Sequence, residues 1–412
     1  METGLDLSQL TKEVLVSSDI FGQFWNICIW DYNTGTNLHT YKNTNTISHG
    51  LAFIRDDYML CAIHNKPYIM YWNLKGKSQQ NKINTPGFIN CLTVSNCGNY
   101  IAFGVEEKVF IYQSHSGKLV SMLTRHLQNL TCIKFSSNDN FLITASEDTT
   151  ILVWDFHEVL TIEKEYLKPV QTWNNHSMRI NDLFISPTSD RVVSASADQT
   201  CKFWNLDSDK PFSMDTVLFK TAPSRCILDN METNLYVGLT NGLILRIPIK
   251  SIVNETNKMI DEDSNEMSFI GHKQKINCLS ISLDDFTLAS GSEDSSIRIW
   301  DTISRQCIKI VKHNGPVTNL EFKPRTFFFN DESFISAPLF SRYSNEKSND
   351  NSISVVKNKQ IYGLGLEDFL GNSSSKDICQ EEYFELKCKY DNTKKINEKI
   401  YNYAVEKILN SS

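Results

Sequence analysis

A hydroxyl, a histidine and an aspartate at fixed intervals are the raw material of nucleophilic catalysis, and this 412-residue chain holds three such sets. They are His126, Thr144 and Asp148; His176, Ser194 and Asp198; and His272, Ser290 and Asp294. Each set leads to a tryptophan, Trp154, Trp204 or Trp300, lying 28 residues after the histidine, 10 after the hydroxyl and 6 after the aspartate. A catalytic triad needs one copy beside an open cleft. Three copies at one spacing instead mark an internal repeat. The repeat gives the group a structural task. A carboxylate in a tight turn accepts from the histidine, the hydroxyl accepts from that histidine, and the indole N–H donates to the hydroxyl. Every buried polar group then has a partner.

Other chemistry finds little support. The nine histidines form no HxH or HExxH spacing, and no glycine-rich phosphate loop occurs. We therefore expect no catalytic residue, no metal and no cofactor. A net charge of −7 argues against a broad phosphate-neutralising surface. Eleven cysteines are scattered without a CxxC pair. Cys28, Cys91, Cys132, Cys201, Cys278 and Cys307 sit in strand-like apolar runs, which predicts buried reduced thiols. Residues Met1 to Leu10 lack an apolar signal core, and no run approaches the ~18–20 apolar residues that span a bilayer. The expectation is a soluble intracellular protein with no membrane partner.

The elements that position the repeated group are short strands. Trp30-Asp31, Trp154-Asp155 and Trp300-Asp301 each close a β-branched strand, and Trp72-Asn73 and Trp204-Asn205 repeat the feature with Asn. Tyr112 ends a similar run, and Leu243 to Ile247 is an apolar run at the equivalent place. Strand ends thus fall near 30, 72, 112, 154, 204, 247 and 300, at the period of a WD-type propeller blade. The predicted fold is all-β: a seven-bladed WD40 β-propeller over residues 1–323, with a C-terminal α-helical extension. Inner strands such as Lys275 to Ser282 read as nearly continuous apolar runs, suggesting burial on both faces. At the fixed spacing, the blades ending near 30, 72, 112 and 247 lack the His–hydroxyl–Asp set, so apolar packing alone should hold them. The first blade lacks an inner strand of its own. Residues 316–322 read as an inner strand without a blade, and should close the ring there.

Beyond the ring the composition changes. Residues 324–376 read as an irregular segment packing on the propeller, with a Ser-, Asn- and Lys-rich loop at 341–360. Residues 377–412 read as a helix for dimerisation or partner binding, with Tyr383, Leu386, Tyr390, Ile396, Ile400 and Tyr403 on its apolar stripe. The stripe breaks around Lys394-Lys395, which favours a short crossing contact over an extended coiled coil.

Longer stretches are more specific. They include Ile29 to Leu38, Pro86 to Thr93, Ser116-Gly117-Lys118-Leu119 with Arg125-His126, Gly315 to Asn319, and Lys395-Ile396-Asn397. In these the chain resembles the WD repeat-containing protein 18 family, whose fungal counterpart is the propeller subunit of the Rix complex. The resemblance runs from about residue 25 to 320 and resumes in the last 30 residues. It implies a non-catalytic scaffold subunit in nuclear maturation of the large ribosomal subunit. The implied partners are a helical-repeat scaffold subunit, a second helical subunit, the pre-large-subunit particle and a midasin-type ATPase. The implied work is processing of the second internal transcribed spacer. The family's C-terminal helix pairs two propellers, which implies a homodimer through 377–412. The alternative is a substrate receptor of a cullin-type ubiquitin ligase. Such receptors carry Trp-Asp-x-Arg, but here Trp154-Asp155 is followed by Phe156-His157, and Trp300-Asp301 by Thr302-Ile303.

Overall fold

The apolar runs between turns build seven four-stranded antiparallel blades in the computed structural model. It describes residues 13–325, apart from 22–25, 43, 56, 75–79, 162–166, 207–214, 254–257 and 261–267. The segment expected from 326 onward and the helix expected over 377–412 lie outside the described residues. Strands are lettered a to d within each blade. Blade 1 joins Val317–Pro324 as strand a to Glu13–Asp19, Ile27–Asp31 and Thr36–Tyr41. Blades 2 to 7 follow in chain order over 46–84, 89–123, 130–173, 180–218, 223–269 and 276–312.

The ring closes by hydrogen-bonded pairing of the two ends of the propeller. Val317–Pro324 runs antiparallel to Glu13–Asp19, from Glu13↔Pro324 to Asp19↔Val317. No sheet edge is left open at the seam.

Burial differs from the sequence reading in one respect. The strands buried along their whole length are mainly the second ones, such as Tyr58–Ile63, Asn234–Leu239 and Thr287–Ser292. Of the inner strands only Pro223–Leu228 is buried throughout; the others carry half-buried or exposed positions, as in Ile276–Ile281. The physical reason is the central channel: an inner strand has blades on its flanks but open space along the axis, whereas strand b has a blade on each face. The tryptophans that end strand c plug these interblade cores, and Trp154 and Trp300 are fully buried. Each such ring removes ~150–250 Å² from water, an upper figure of about 4–6 kcal/mol.

Two belts of polar contacts lace neighbouring blades. One lies at a bulge that recurs near the start of strand a. There Asn181 donates to Pro223 O (2.7 Å), Ser224 to Ile276 O (2.6 Å), Asn277 to Val317 O (3.1 Å) and Asn319 to Ile47 O (2.7 Å). The other lies at the a–b turns. Arg55 Nε donates to Cys97 O, Asn96 to Ser136 O, Ser137 to Ser186 O, Thr188 to Glu232, Asn230 to Ser282 O and Leu283 N–H to Glu13. Blades 5 and 6 share a further brace. Lys258–Met259, from the c–d connection of blade 6, pairs in parallel with Thr216–Leu218 as a fifth strand on blade 5. Ile252 and Ile260 anchor it in the core beside Phe203 and Val217.

Candidate functional site

The three repeated sets assemble as hydrogen-bonded chains. Histidine Nδ1 lies 3.0, 2.8 and 2.9 Å from Oδ2 of Asp148, Asp198 and Asp294. Nε2 lies 2.8, 2.7 and 2.8 Å from the hydroxyls of Thr144, Ser194 and Ser290. The indoles of Trp154, Trp204 and Trp300 donate to those hydroxyls at 3.1, 2.8 and 2.8 Å. These are triad distances, but the hydroxyls are wholly buried under the indole rings. The carbonyls near them are those of their own blade, Leu152 O, Lys202 O and Arg298 O, at 3.4–3.5 Å. The arrangement ties the histidine loop to its blade and leaves each hydroxyl without the open cleft that acyl transfer requires.

Each carboxylate is further secured by its own turn. Oδ1 accepts from the amide and hydroxyl of Thr150, Thr200 or Ser296, and Oδ2 from the amide of Leu127, Ser177 or Lys273. Burial alone would raise these carboxyls, but the hydrogen bonds from histidine, hydroxyl and amides outweigh it and hold Asp148 and Asp198 far below the usual carboxylate range. Asp294 is lowered in the same way. Burial, with help from Arg298, lowers His272 below its ordinary value. The imidazole bridges Asp294 through Nδ1 and the Ser290 hydroxyl through Nε2. The aspartate of each Trp-Asp pair has separate work. Asp155 caps the helix Phe156–Thr161 through His157 N–H (2.8 Å), and Asp31 and Asp301 accept from Asn33 N–H and Ser304 N–H.

A fourth copy stands where apolar packing alone was expected. His313 Nδ1 lies 2.8 Å from Asp19 Oδ2, its Nε2 lies 3.0 Å from Ser17 Oγ, and Trp30 donates to Ser17 at 2.8 Å. The fixed spacing misses it for two physical reasons. The b–c connection is longer and moves the aspartate onto the strand, and ring closure brings the histidine from the far end of the chain. The offset that persists is local: His313 precedes Val317 as His272 precedes Ile276, by four residues. In blade 2, Cys61 takes the hydroxyl position, with Thr46 Oγ1 against its sulfur at 2.8 Å. Blades 3 and 6 are apolar there, with Phe103 stacked on Tyr112 at 5.4 Å, and with Val237.

A second cluster has no forerunner in the sequence reading. The central channel encloses about 520 Å³ and is lined by His49, Phe53, Lys134, Asp182, Arg225 and Glu321, among others. In blade 2 the a–b register runs from Thr46↔Ile63 to Leu51↔Cys61, so strand a carries three extra residues. They place His49 in the channel, at φ 55°. Arg225, from blade 6, meets His49 Nε2, Ser48 Oγ and Asn277 O, and lies 3.3 Å from Asp182 Oδ1. Asp182 Oδ2 also accepts from Cys226 N–H at 3.0 Å. Cys132 Sγ lies 3.3 Å from His49 Nε2.

His49, Cys132 and Asp182 are metal-type donors within 4.8 Å of one another. Their cation is already the Arg225 guanidinium. Burial pushes the Cys132 thiol up to about 12, and burial with Arg225 holds His49 well below its usual value. Burial also raises Asp182, against the pull of Arg225. A protonated thiol beside a neutral imidazole is no activated nucleophile. The cluster is a cross-brace over blades 2, 4, 5 and 6. A sequence signal existed: Asp182 and Arg225 interrupt apolar inner strands at the position that holds Cys91, Cys132 and Cys278 elsewhere.

The nine cysteines among the described residues are free, and all but Cys97 and Cys307 are buried. No described helix is long and apolar enough to cross a membrane.

Seven closed blades carrying His–hydroxyl–Asp–Trp chains define a WD-repeat β-propeller. The family "WD domain, G-beta repeat" matches residues 117–155, 167–205 and 264–301, the stretches that end in the three evenly spaced tryptophans. The WD40 β-propeller domain of Doa1 superposes with a TM-score of 0.54 at 17% identity, over 67% of this chain and 86% of that one. WD repeat-containing protein 18 of Danio rerio is 31% identical over 385 residues, covering 91% of this chain and 88% of its own length. The Homo sapiens protein of that name is 33% identical over 314 residues, 74% of this chain and 72% of its own. Pre-rRNA-processing protein crb3/ipi3 of Schizosaccharomyces pombe is 26% identical over 360 residues, 78% of this chain and 80% of its own. The chain belongs to the WD repeat-containing protein 18 family.

Proposed function

We propose that this propeller is a non-catalytic scaffold subunit in pre-rRNA processing and large-subunit ribosome assembly. The observation that carries the reading is similarity along nearly the whole chain to WD repeat-containing protein 18, together with the shared descent implied by the pre-rRNA-processing relative. The sealing of every triad-like hydroxyl under an indole supports a docking role over a chemical one. In finer terms, the chain acts in the nucleus within a Rix-type complex. It joins a helical-repeat scaffold subunit and a second helical subunit, serves removal of the second internal transcribed spacer, and recruits a midasin-type ATPase. Residues 377–412 pair two copies, with Tyr383, Leu386, Tyr390, Ile396, Ile400 and Tyr403 at the seam.

Affinity purification of the full chain tests this. The expected catch is the helical scaffold subunit with large-subunit precursors, and depletion should accumulate rRNA that retains the spacer. Recovery of a cullin adaptor, with spacer processing intact, overturns it in favour of a ubiquitin-ligase receptor. Deleting 377–412 should halve the mass in light scattering; an unchanged mass removes the dimer from the proposal.

A further inference from the structure

Blades 6 and 7 present an apolar patch that none of the described residues covers. Met231 is 79% exposed, Leu283 69%, Phe286 57% and Ile303 67%. They are one surface, because the turns that carry them are bonded together. Asn230, next to Met231, donates to Ser282 O and Leu283 O. Thr302, next to Ile303, donates its amide to Phe286 O at 2.9 Å and its hydroxyl to Asp285 O at 2.8 Å. Grouped large apolar side chains at that exposure mark a site that something occupies.

The path of the chain points to the occupant. In the other six blades a turn joins strands a and b, but in blade 1 that place is taken by two strand ends, Glu13 and Pro324, which pair. Glu13 holds the Ser282 hydroxyl and, at 3.1 Å, the Leu283 amide. The outgoing chain at Pro324 is therefore one strand, ~4.8 Å, from the residue that contacts the patch. At ~3.3 Å per extended residue, a few residues past Arg325 reach it. The residues at that distance are Phe327-Phe328-Phe329, followed by Phe334, Ile335, Leu339 and Phe340. Residues 1–12 start from the same place, but carry no aromatic ring.

We propose that residues 326–340 fold back across the a–b turns of blades 6 and 7 and cover Met231, Leu283, Phe286 and Ile303. The propeller then ends in a self-docked aromatic strap, which sets where the remaining C-terminal residues depart. The proposal is independent of the assigned function.

The test is site-specific photocross-linking in the full chain. A benzophenone amino acid replaces Ile303, and the linked peptides are mapped by mass spectrometry. The expected product is an intramolecular link to 326–340, lost when Phe327→Ser, Phe328→Ser and Phe329→Ser are combined. In that triple variant, without the probe, amides of 283–286 and 302–305 should exchange faster than in the unaltered chain. A link to residues 1–12, a link between two copies, or no protein link overturns the proposal, as does unchanged exchange in the triple variant.

Discussion

Replacing His313 by alanine should open the ring at its seam. The imidazole stands between a carboxylate and a hydroxyl that are both fully buried, Asp19 at 2.8 Å and Ser17 at 3.0 Å, with its ring edge toward Trp30. Removing the hydrogen-bond partner of a buried carboxylate costs ~3–5 kcal/mol, because the carboxylate is left without compensation. The Asn26 amide still donates to Asp19 at 2.9 Å, which holds the loss to the lower part of that range, about 3–4 kcal/mol. That is a large share of a typical total of ~5–15 kcal/mol. The loss should be local, since His313 bears on the two strands that close the ring. Hydrogen exchange at 13–19 and 317–324 should speed up by roughly 10²–10³, at ~1.4 kcal/mol per tenfold, while blade 4 changes less. Combining His313→Ala with Asp19→Ala should cost less than the sum of the two, with a coupling of ~1.5–3 kcal/mol. A loss under ~1 kcal/mol, or additive single effects, would refute the claim that this fourth chain bears on closure.

Acid should weaken the blades. Asp148 and Asp198 have folded-state values below their unfolded ones, so their contribution is present above about pH 4 and lost as pH falls toward the folded values. Urea midpoints from pH 7 to pH 2.5 should fall less for Asp148→Asn and Asp198→Asn combined than for the unaltered chain. Gly242→Ala should destabilise by about 1–3 kcal/mol in denaturant titration, because φ is +89° and the new Cβ would lie 2.8 Å from both Gln274 O and His272 O. Arg225→Met should cost ~3–5 kcal/mol at neutral pH by leaving Asp182 buried without its cation. Asp182→Asn should restore part of that. The loss should also shrink as pH falls, because a carboxyl raised in the folded state takes its proton there first.

The propeller was legible because b–c turns of equal length repeat one distance. In blades 4, 5 and 7 each aspartate is followed by a residue in the left-handed region, Thr149, Gln199 or Ser295, then by a residue whose side chain returns to the aspartate. That uniform turn keeps the interval to tryptophan constant. The chain at His313, Ser17, Asp19 and Trp30 was not legible, because a spacing rule cannot span the ends of a closed ring. The channel brace was hidden for a different cause. His49 and Arg225 are 176 residues apart, and they meet because a local insertion in one strand faces a charged substitution in another across the axis. Periodicity reports which face a residue occupies, but not what stands opposite.

Departures from the repeat also locate the surfaces with free chemistry. The regular blades use their polar residues up: in blade 5, His176, Ser194, Asp198, Thr200 and Trp204 all serve one another. The irregular features do more than repeat. Three extra residues in blade 2 aim His49 into the channel, the long c–d connection of blade 6 lends blade 5 a fifth strand, and the open a–b position of blade 1 releases the chain beside the patch at Leu283. Each stands on the rigidity of the regular blades, since Glu13 can hold the Leu283 turn in place only if the seam beside it stays paired. A substitution in the His313 chain should therefore loosen the turns of blade 7 that carry the patch, although none of its residues touches them. Faster exchange at 283–286 in His313→Ala, with blade 4 changing less, is the outcome this coupling requires; unaltered exchange at 283–286 would separate the seam from the patch.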